Sequence, residues 1–425
     1  MSRWSTSRCP RRATGTSRTS TPARSRTESL PTHQQAHPGS SRSLMVTSRH
    51  WFVALATGSL LAAATACAAP GSDSGSSSSS GPIKIAVVDA QSGQLSSLGA
   101  WELKGAKLAV QQVNAKGGID GRKVKLSVFD DQGDPTTGTS IARKIVSGGY
   151  TAMIGTAESA VTQAMNPILK SAKIPSITSG QATAITELGS PYQFLNGPTS
   201  ATYDNTLEEY LTKTKSFKTF AMITNNGGYG VGEHDAFTAA LKASGIEPVV
   251  NDVVTPDQKD FSAVLTKIRS KKPDVLFIGT EEVEAGLIAK QARQLGLTAV
   301  FAGSAPLSTP VYVQTAGADV ADGTLVSTPY LSNDATEASK AFAAAYQKAF
   351  GETAELHGAK SYDGTSIFLA ALKQTKGKGG LAMADAVRAE KYDGLLGSFD
   401  FDDKGVGIHQ TVIGVISGGK LGPAS

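Results

Sequence analysis

Between Ala152 and Thr183 the chain reads AMIGTAESAVTQAMNPILKSAKIPSITSGQAT, in the order strand, polar turn, amphipathic helix, strand, polar turn. Met153-Ile154 stops at Gly155-Thr156-Ala157-Glu158-Ser159, and Ile174-Pro175-Ser176-Ile177 stops at Thr178-Ser179-Gly180-Gln181. Short apolar runs joined by a helix suit a parallel sheet, because parallel neighbours need a crossover and both sheet faces are then covered. In such a sheet ligands bind beyond the carboxyl ends of strands, against helix N-termini. The two turns are therefore candidates for half of a small-molecule pocket. Gly, Ser and Thr are also ordinary turn and cap residues, which is the plainer reading of the same letters.

The unit repeats on both sides. Ile83–Val88 is a continuous apolar run that breaks at Asp89-Ala90-Gln91-Ser92-Gly93, and Leu98 to Val113 has helical spacing. Val124–Phe129 ends in Asp130-Asp131 and leads into a helix through Ile141 and Ile145. After Tyr203 the pattern restarts with Thr219–Thr224, a turn at Asn225–Gly230, and a helix to Ala243. Further strands are expected at Val249–Val254, Asp274–Ile278 and Val300–Gly303, with helices at Phe261–Ser270 and 284–295. Ile278-Gly279-Thr280-Glu281-Glu282 echoes Ile154-Gly155-Thr156-Ala157-Glu158, as two similar lobes would. The last hundred residues offer helices at Glu337–Phe350, Ser361–Gln374 and Ala382–Ala389, then strands at Gly397–Asp402 and Thr411–Ile416. The fold class expected is α/β: two similar doubly wound parallel-sheet lobes joined by a multi-strand hinge. Residues 83–200 plus 328–400 form lobe 1 in this reading, and 201–327 plus 401–425 form lobe 2. A hinge crossed repeatedly lets two lobes close on a ligand.

Charge is informative once the ends are set apart. The formal net charge is +5, yet eight arginines lie in residues 1–44 against Glu28 alone, and Arg49 is the only Lys or Arg in 45–66. From Cys67 onward 32 basic residues face 35 acidic ones, a net of −3, so nothing points to nucleic acid. Segment 1–44, rich in Ser, Thr, Arg and Pro, is expected to be disordered, an over-extended start with Met45 as initiator. Residues 45–66 have a positive start, an apolar run from Trp51 and small residues before Cys67, the shape of a secretory signal. Ala64-Thr65-Ala66-Cys67 resembles a bacterial lipobox, which implies acylation of Cys67 and a lipoprotein held at the membrane surface. A type II anchor is the alternative, but the run is short and alanine-rich for a span of about 20 strongly apolar residues. Residues 67–82 form a Gly/Ser tether. Cys9 and Cys67 are the only cysteines, so the exported body carries no disulfide and rests on its core.

The same letters give little support to an enzyme. Gly228-Tyr229-Gly230-Val231-Gly232 follows a strand and opens a helix, with Asp252 about 20 residues on, as a dinucleotide loop requires. Glu233 stands where the third glycine belongs, beside a would-be pyrophosphate. His234, His357 and His409 fall in no catalytic constellation, there is no G-x-S-x-G, and the Asp400–Gly405 run lacks a calcium loop's twelfth-position acid. No cofactor or metal is expected, and no catalytic residue is assigned.

Several motifs in shared order carry a family likeness. Ser92-Gly93, Asn114-Ala115-Lys116-Gly117-Gly118-Ile119, Asp130-Asp131, Asp134-Pro135, Tyr229-Gly230, Asp260-Phe261-Ser262, Gln291-Ala292-Arg293 and Tyr362-Asp363 resemble the leucine/isoleucine/valine-binding family. These are type I periplasmic binding proteins of branched-chain amino acid ABC transporters, and the likeness runs from about Lys84 to about Ile416. It implies a monomeric, extracytoplasmic, non-enzymatic protein that closes over a small solute and delivers it to a membrane permease. A lobe pair that senses an amide or small carboxylate and signals to another protein is the alternative use of the same fold. The resemblance puts the ligand's carboxylate against Ser159 and the turn Ser179–Thr183, chiefly Ser179, Gly180 and Thr183, with Tyr229 covering it. Weaker candidates are Ser92, Thr156, Gln181, Thr280, Glu282, Ser304 and Asp363. The family's ammonium-pairing acid falls on Ala305, a family tyrosine on Glu281, and an aromatic of the first loop on Leu98. The counter-charge is then expected from Glu281 or Glu282 in a neighbouring turn; a buried ammonium without a partner costs several kcal/mol, so if neither acid faces the cleft the solute is not an ordinary amino acid. The plainer role of both acids is to complement a helix dipole.

Overall fold

The computed structural model describes residues 81–332 and 336–424; the signal segment, Cys67 and nearly all of the tether lie outside the described residues. β1 (Ile83–Asp89) shows why the sheet is parallel and covered. Ile83 and Ile85 enter the core on one face, Ala86 and Val88 a separate core on the other. Side chains alternate with a period of two, so a strand apolar at every position needs packing on both sides. It is followed by α1 (Ser96–Ala115), β2 (Val124–Asp130), α2 (Pro135–Ser147), β3 (Ala152–Ile154), α3 (Ser159–Ser171), β4 (Ser176–Thr178) and β5 (Gln193–Leu195). The five strands lie in the order β2-β1-β3-β4-β5, all parallel. Helix starts are set by side chains: Asp134 accepts from the Thr137 N–H at 2.6 Å, and Glu158 from the Ala160 N–H at 3.0 Å. Each satisfies an amide that the helix itself leaves unpaired.

The second lobe repeats the scheme with α4 (Ser200–Glu209), β6 (Phe220–Asn225), α5 (Gly228–Ala243), β7 (Val250–Val254), α6 (Ser262–Lys271), β8 (Val275–Gly279) and α7 (Glu282–Gln294). β9 (Val300–Gly303), α8 (Pro310–Ala316), α9 (Ala318–Ala321) and β10 (Leu325–Thr328) continue it. Ala221, Ile223, Leu276 and Ile278 face one core, and Phe220, Met222, Val275 and Phe277 the other. The chain then supplies α10 (Glu337–Phe350), α11 (Leu356–Gln374), α12 (Gly380–Ala389) and the hairpin β11 (Lys391–Gly394) with β12 (Gly397–Asp400) to the first lobe. It ends in the second lobe with β13 (Val412–Ser417) and β14 (Lys420–Pro423), which add antiparallel to β10. The second sheet therefore runs β14-β13-β10-β9-β8-β6-β7.

The chain crosses between sheets after β5, after β10 and again before β13. That last crossing comes later than the letters indicate. Phe401 packs edge-on against Phe194 at 5.4 Å and Val406 bridges Leu195, so residues 401–408 stay with the first lobe. α11 also begins at Leu356 and not at Ser361, because the Glu355 carboxylate accepts from the N–H groups of His357 and Gly358 at 2.8 and 2.6 Å. The acids around Gly405 make a turn, with Asp402 accepting from the N–H groups of Lys404 and Val406.

Asp363, a weak ligand candidate by sequence, lies beneath the β11–β12 hairpin. Its Oδ2 accepts from the N–H groups of Leu395 and Leu396 at 2.6 and 3.1 Å, and burial pushes its carboxyl up to about 7. Between the ordinary value and 7 the folded chain keeps a proton that the unfolded chain has released. The resulting stability is complete below about pH 4 and is lost as pH rises through 7. Asp131, pushed by burial to about 6, acts in the same direction. Thermal melts are expected to fall from pH 5 to pH 8, and Asp363→Asn, which keeps the acceptor oxygen, to flatten that slope by up to about 3 kcal/mol over this range. A slope unchanged in the variant would refute this role.

Candidate functional site

The carboxyl ends of the two sheets confront one another. Leu98, Ala157, Ser179 and Gln181 from the first lobe, Tyr229, Glu281, Ala305 and Pro306 from the second, and His357 from α11 enclose a cavity of about 20 Å³. That is room for about one water molecule, so the two lobes are shut on one another here.

Polar contacts hold the shut form together. Gln181 Nε2 donates across the cleft to Glu233 Oε1 and Ser304 Oγ, each at 3.0 Å. The Tyr229 hydroxyl donates to Glu233 Oε2 at 3.0 Å and lies 2.9 Å from Ser304 Oγ. Ser97 donates to Glu282, and Gln94 to Asp257. Glu158, the cap of α3, meets Glu281, the cap of α7, and the two carboxyls share a hydrogen bond. Burial and the neighbouring carboxylates, Glu158 foremost, hold Glu281 well above the usual carboxylate range.

The glycines that imitate a dinucleotide loop have another purpose. A Cβ on Gly228 would lie 2.6 Å from Ala160 N and 2.7 Å from Ala160 Cβ, and one on Gly232 would lie 2.9 Å from Ala182 Cβ. A Cβ on Gly230 would strike Asn225 within its own lobe. The bare face of α5 is thus what lets the second lobe seat on α3 and the turn after β4. Glu233 does not face a pyrophosphate; it is fully buried beneath Tyr229, Gln181 and Ser304, and burial raises its pKa.

Under the cavity floor lies a buried charge set. Lys360 Nζ donates to Ser179 O at 2.7 Å, and the Ser179 hydroxyl donates to Glu102. Asp89 Oδ1 accepts from the Ala157 N–H at 2.8 Å. Asp89, Glu102 and Lys360 are each no more than 1% exposed. Burial raises both acids and lowers Lys360 to about 8, against the pull of Glu102 and Glu355. His357 is held by Glu355, Nδ1 to Oε2 at 3.0 Å, and stacks on Trp101 with ring centres 6.4 Å apart. Backbone groups of both turns are therefore positioned by charges behind them.

Of the residues singled out by sequence, Ser179, Gln181, Tyr229 and Glu281 come together on the cavity wall, with Ser304 bonded to two of them. Ala305 and Leu98 are on that wall as apolar groups. Ser159 is buried one layer back, its hydroxyl accepting from the Ala182 N–H at 3.2 Å, so it braces the second turn. Gly180 and Thr156 are turn residues: the Gly180 N–H donates to Thr178 Oγ1, and Thr156 Oγ1 accepts from the Glu158 N–H, both at 3.0 Å. Thr183 accepts from the Ala201 N–H and lines a separate pocket beside Gly232. Thr280 is buried. Glu282 lines the outer groove and not the cavity. Ser92 is exposed, with its hydroxyl on Asp130 at 2.6 Å. The sequence does not single out His357, Lys360, Glu102 or Pro306 as site residues, and it gives Glu158 only as part of the turn 155–159. The available signal was the run of Glu355, His357 and Lys360 at the start of a helix whose later turns carry Ile367, Phe368 and Leu369.

Two α/β lobes with facing strand ends, chain crossings at one side and a shut polar cavity between them define a solute-binding protein of the two-lobed type. The sequence profile of the Periplasmic binding protein family matches residues 82–420, and the chain belongs to that family. It is 34% identical over 264 residues to the Leu/Ile/Val-binding protein BraC3 of Rhizobium johnstonii, covering 62% of this chain and 71% of that protein. It is 30% identical over 325 residues to the Leu/Ile/Val-binding protein of Escherichia coli, covering 76% of this chain and 87% of that protein. Among solved structures it resembles the branched-chain amino acid transporter substrate-binding protein LivJ of Streptococcus pneumoniae in complex with isoleucine. The TM-score is 0.75 at 26% identity, over 80% of this chain and 97% of that one.

Proposed function

We propose that this chain is the extracytoplasmic solute-binding protein of an ABC importer, taking a branched-chain or related amino acid and handing it to a membrane permease. It acts by closure and carries out no chemistry on the solute. The observation that carries this reading is the pairing of poles across one cavity. Ser179 and Gln181, at a strand end beside the start of α3, offer hydroxyl and amide groups to a carboxylate. Glu281 offers a carboxyl from the opposite lobe. In this reading Glu281 takes over the ammonium from position 305, where alanine stands, and its proton is displaced when the ammonium arrives. Ser159 and Gly180 hold the carboxylate turn in shape. The relatives named for leucine, isoleucine and valine support the solute class. The lipobox-like end at Cys67, with its Gly/Ser tether, supports anchorage to the outer face of the cell membrane, with the body a monomer. Among the described residues no helix is long and apolar enough to cross a membrane.

Thermal-shift screening of the amino acids is the direct test, because a ligand that binds only the folded form raises its melting temperature. Glu281→Gln is expected to weaken the binding of the best amino acid by about 2–3 kcal/mol, roughly 30- to 150-fold in Kd. Unaltered affinity in titration calorimetry would remove Glu281 from the ammonium role. Loss of amino-acid uptake when the protein is deleted is the result expected of an importer. Normal uptake with a lost transcriptional response would point to a sensor.

A further inference from the structure

Outside the enclosed cavity the cleft opens into a groove of about 570 Å³, walled by Glu158, Asp257, Glu281, Glu282 and Glu284 with Asn225 beside them. Among the described residues that line it there is no Lys, Arg or His. Lys259 reaches only the rim, where its Nζ lies 3.2 Å from Gln94 Oε1. Acids at the start of α7 would be unremarkable if solvated, since a helix N-terminus favours negative charge. These are not solvated. Glu282 is fully buried and Glu284 is 3% exposed. Each has one oxygen held, Glu282 by the Ser97 hydroxyl and Glu284 by the Asn225 amide at 2.6 Å. Each leaves the other oxygen, Glu282 Oε2 and Glu284 Oε1, with no hydrogen-bond partner. A buried acceptor left unpaired costs about 1–3 kcal/mol, and more when charged. Glu284 also takes backbone hydrogen bonds from Asp257 and from Glu281 at the start of its own helix, as a helix-capping acid does, and His357 favours the charged form of Glu282; the oxygen that most lacks a donor on the groove wall is Glu282 Oε2.

We propose that this groove is a subsite for a second, cationic group of the solute, a primary ammonium or a guanidinium. Among the described residues no group of three or more His, Cys, Asp and Glu is arranged to hold a metal ion, so an organic cation is the fitting donor. Glu281 belongs to the walls of both the cavity and the groove, so one molecule can lie along both. Its carboxylate end reaches Ser179 and Gln181, its α-ammonium Glu281, and its basic side chain Glu282 and Glu284. The inference rests on the amino-acid reading above and narrows it to amino acids with a basic side chain, such as lysine. Burial pushes Glu282 up to about 7, in keeping with a carboxyl that waits for a cation.

Titration calorimetry of the purified protein with L-lysine and with L-leucine tests this. Lysine is expected to bind at least about 10-fold tighter than leucine, and the Glu282→Gln/Glu284→Gln double variant to lose at least about 10-fold of that preference. Leucine binding as tightly as lysine in the unaltered protein would overturn the subsite and leave the amino-acid reading standing. That comparison needs no variant and so does not depend on the variant's folding. A preference for lysine that persists undiminished in a folded double variant would also overturn the subsite. Failure of both amino acids to bind would overturn the amino-acid reading itself.

Discussion

Replacing Lys360 with Met is expected to lower the stability of the folded chain by about 3–5 kcal/mol, because it removes one of the two positive partners, His357 being the other, that offset the buried Glu102 and leaves the Ser179 carbonyl without its donor. Lys360 is 1% exposed and touches the Ser179 carbonyl, and it helps offset Glu102, whose carboxyl shares a hydrogen bond with the buried Asp89. Methionine fills the space of the lysine stem but answers none of these groups. Calorimetric melting should drop by roughly 4–7 °C for a folded body of this size. Adding Glu102→Gln to Lys360→Met should recover part of the loss, since the stranded charge goes with the cation. A single variant that melts within about 1 °C of the parent would show that the charge set does not support the floor of the cleft.

The second large effect concerns closure. Gly228→Leu is expected to weaken solute binding by at least about 100-fold, since a side chain there must wedge the lobes apart and costs the shut state roughly 3 kcal/mol. The contact is with backbone and Cβ atoms of Ala160, 2.6 and 2.7 Å from where the Cβ would stand, and neither can swing aside. Because Gly228 lies in the first turn of α5 and meets only the other lobe there, the melting temperature without solute should hardly change. Gly228→Ala should fall between parent and Leu. Parental affinity in Gly228→Leu would mean that the bound form does not bring α5 onto α3.

Much of this architecture is visible in the letters because it rests on local signals. IKIAVV, TFAMIT and DVLFIG are apolar at nearly every position, and each stops at turn residues, so buried parallel strands followed by helices are the simplest reading. β5 is hidden because Gln193 is buried through hydrogen bonds to Asn166 and Ser176 and not through apolar character. The late crossing at 401–408 is hidden for a different reason: it is fixed by Phe401 finding Phe194, a contact distant in sequence. The same division holds at the site. Ser179, Gln181, Tyr229 and Glu281 sit at strand ends, where topology alone puts them on the cleft. Lys360 and Glu102 are charges in the early turns of α11 and α1 whose burial depends on which helix face turns inward, and no periodicity of the sequence states that. Gly228 and Gly232 look like a phosphate loop by spacing, and only the facing Ala160 and Ala182 reveal their use.

Solute is expected to enter and leave only as these two lobes part. Gln94 and Asp257 hydrogen-bond across the cleft, one from each lobe. Gln94→Cys and Asp257→Cys, in a chain with Cys9 and Cys67 replaced by Ser, can be joined by a short bis-maleimide once the lobes are shut. Calorimetric titration with leucine and lysine is expected to show binding in the unlinked variant and none in the linked one, whose cavity has room for about one water. Equal affinity and equal rate in the linked and unlinked forms would contradict the account.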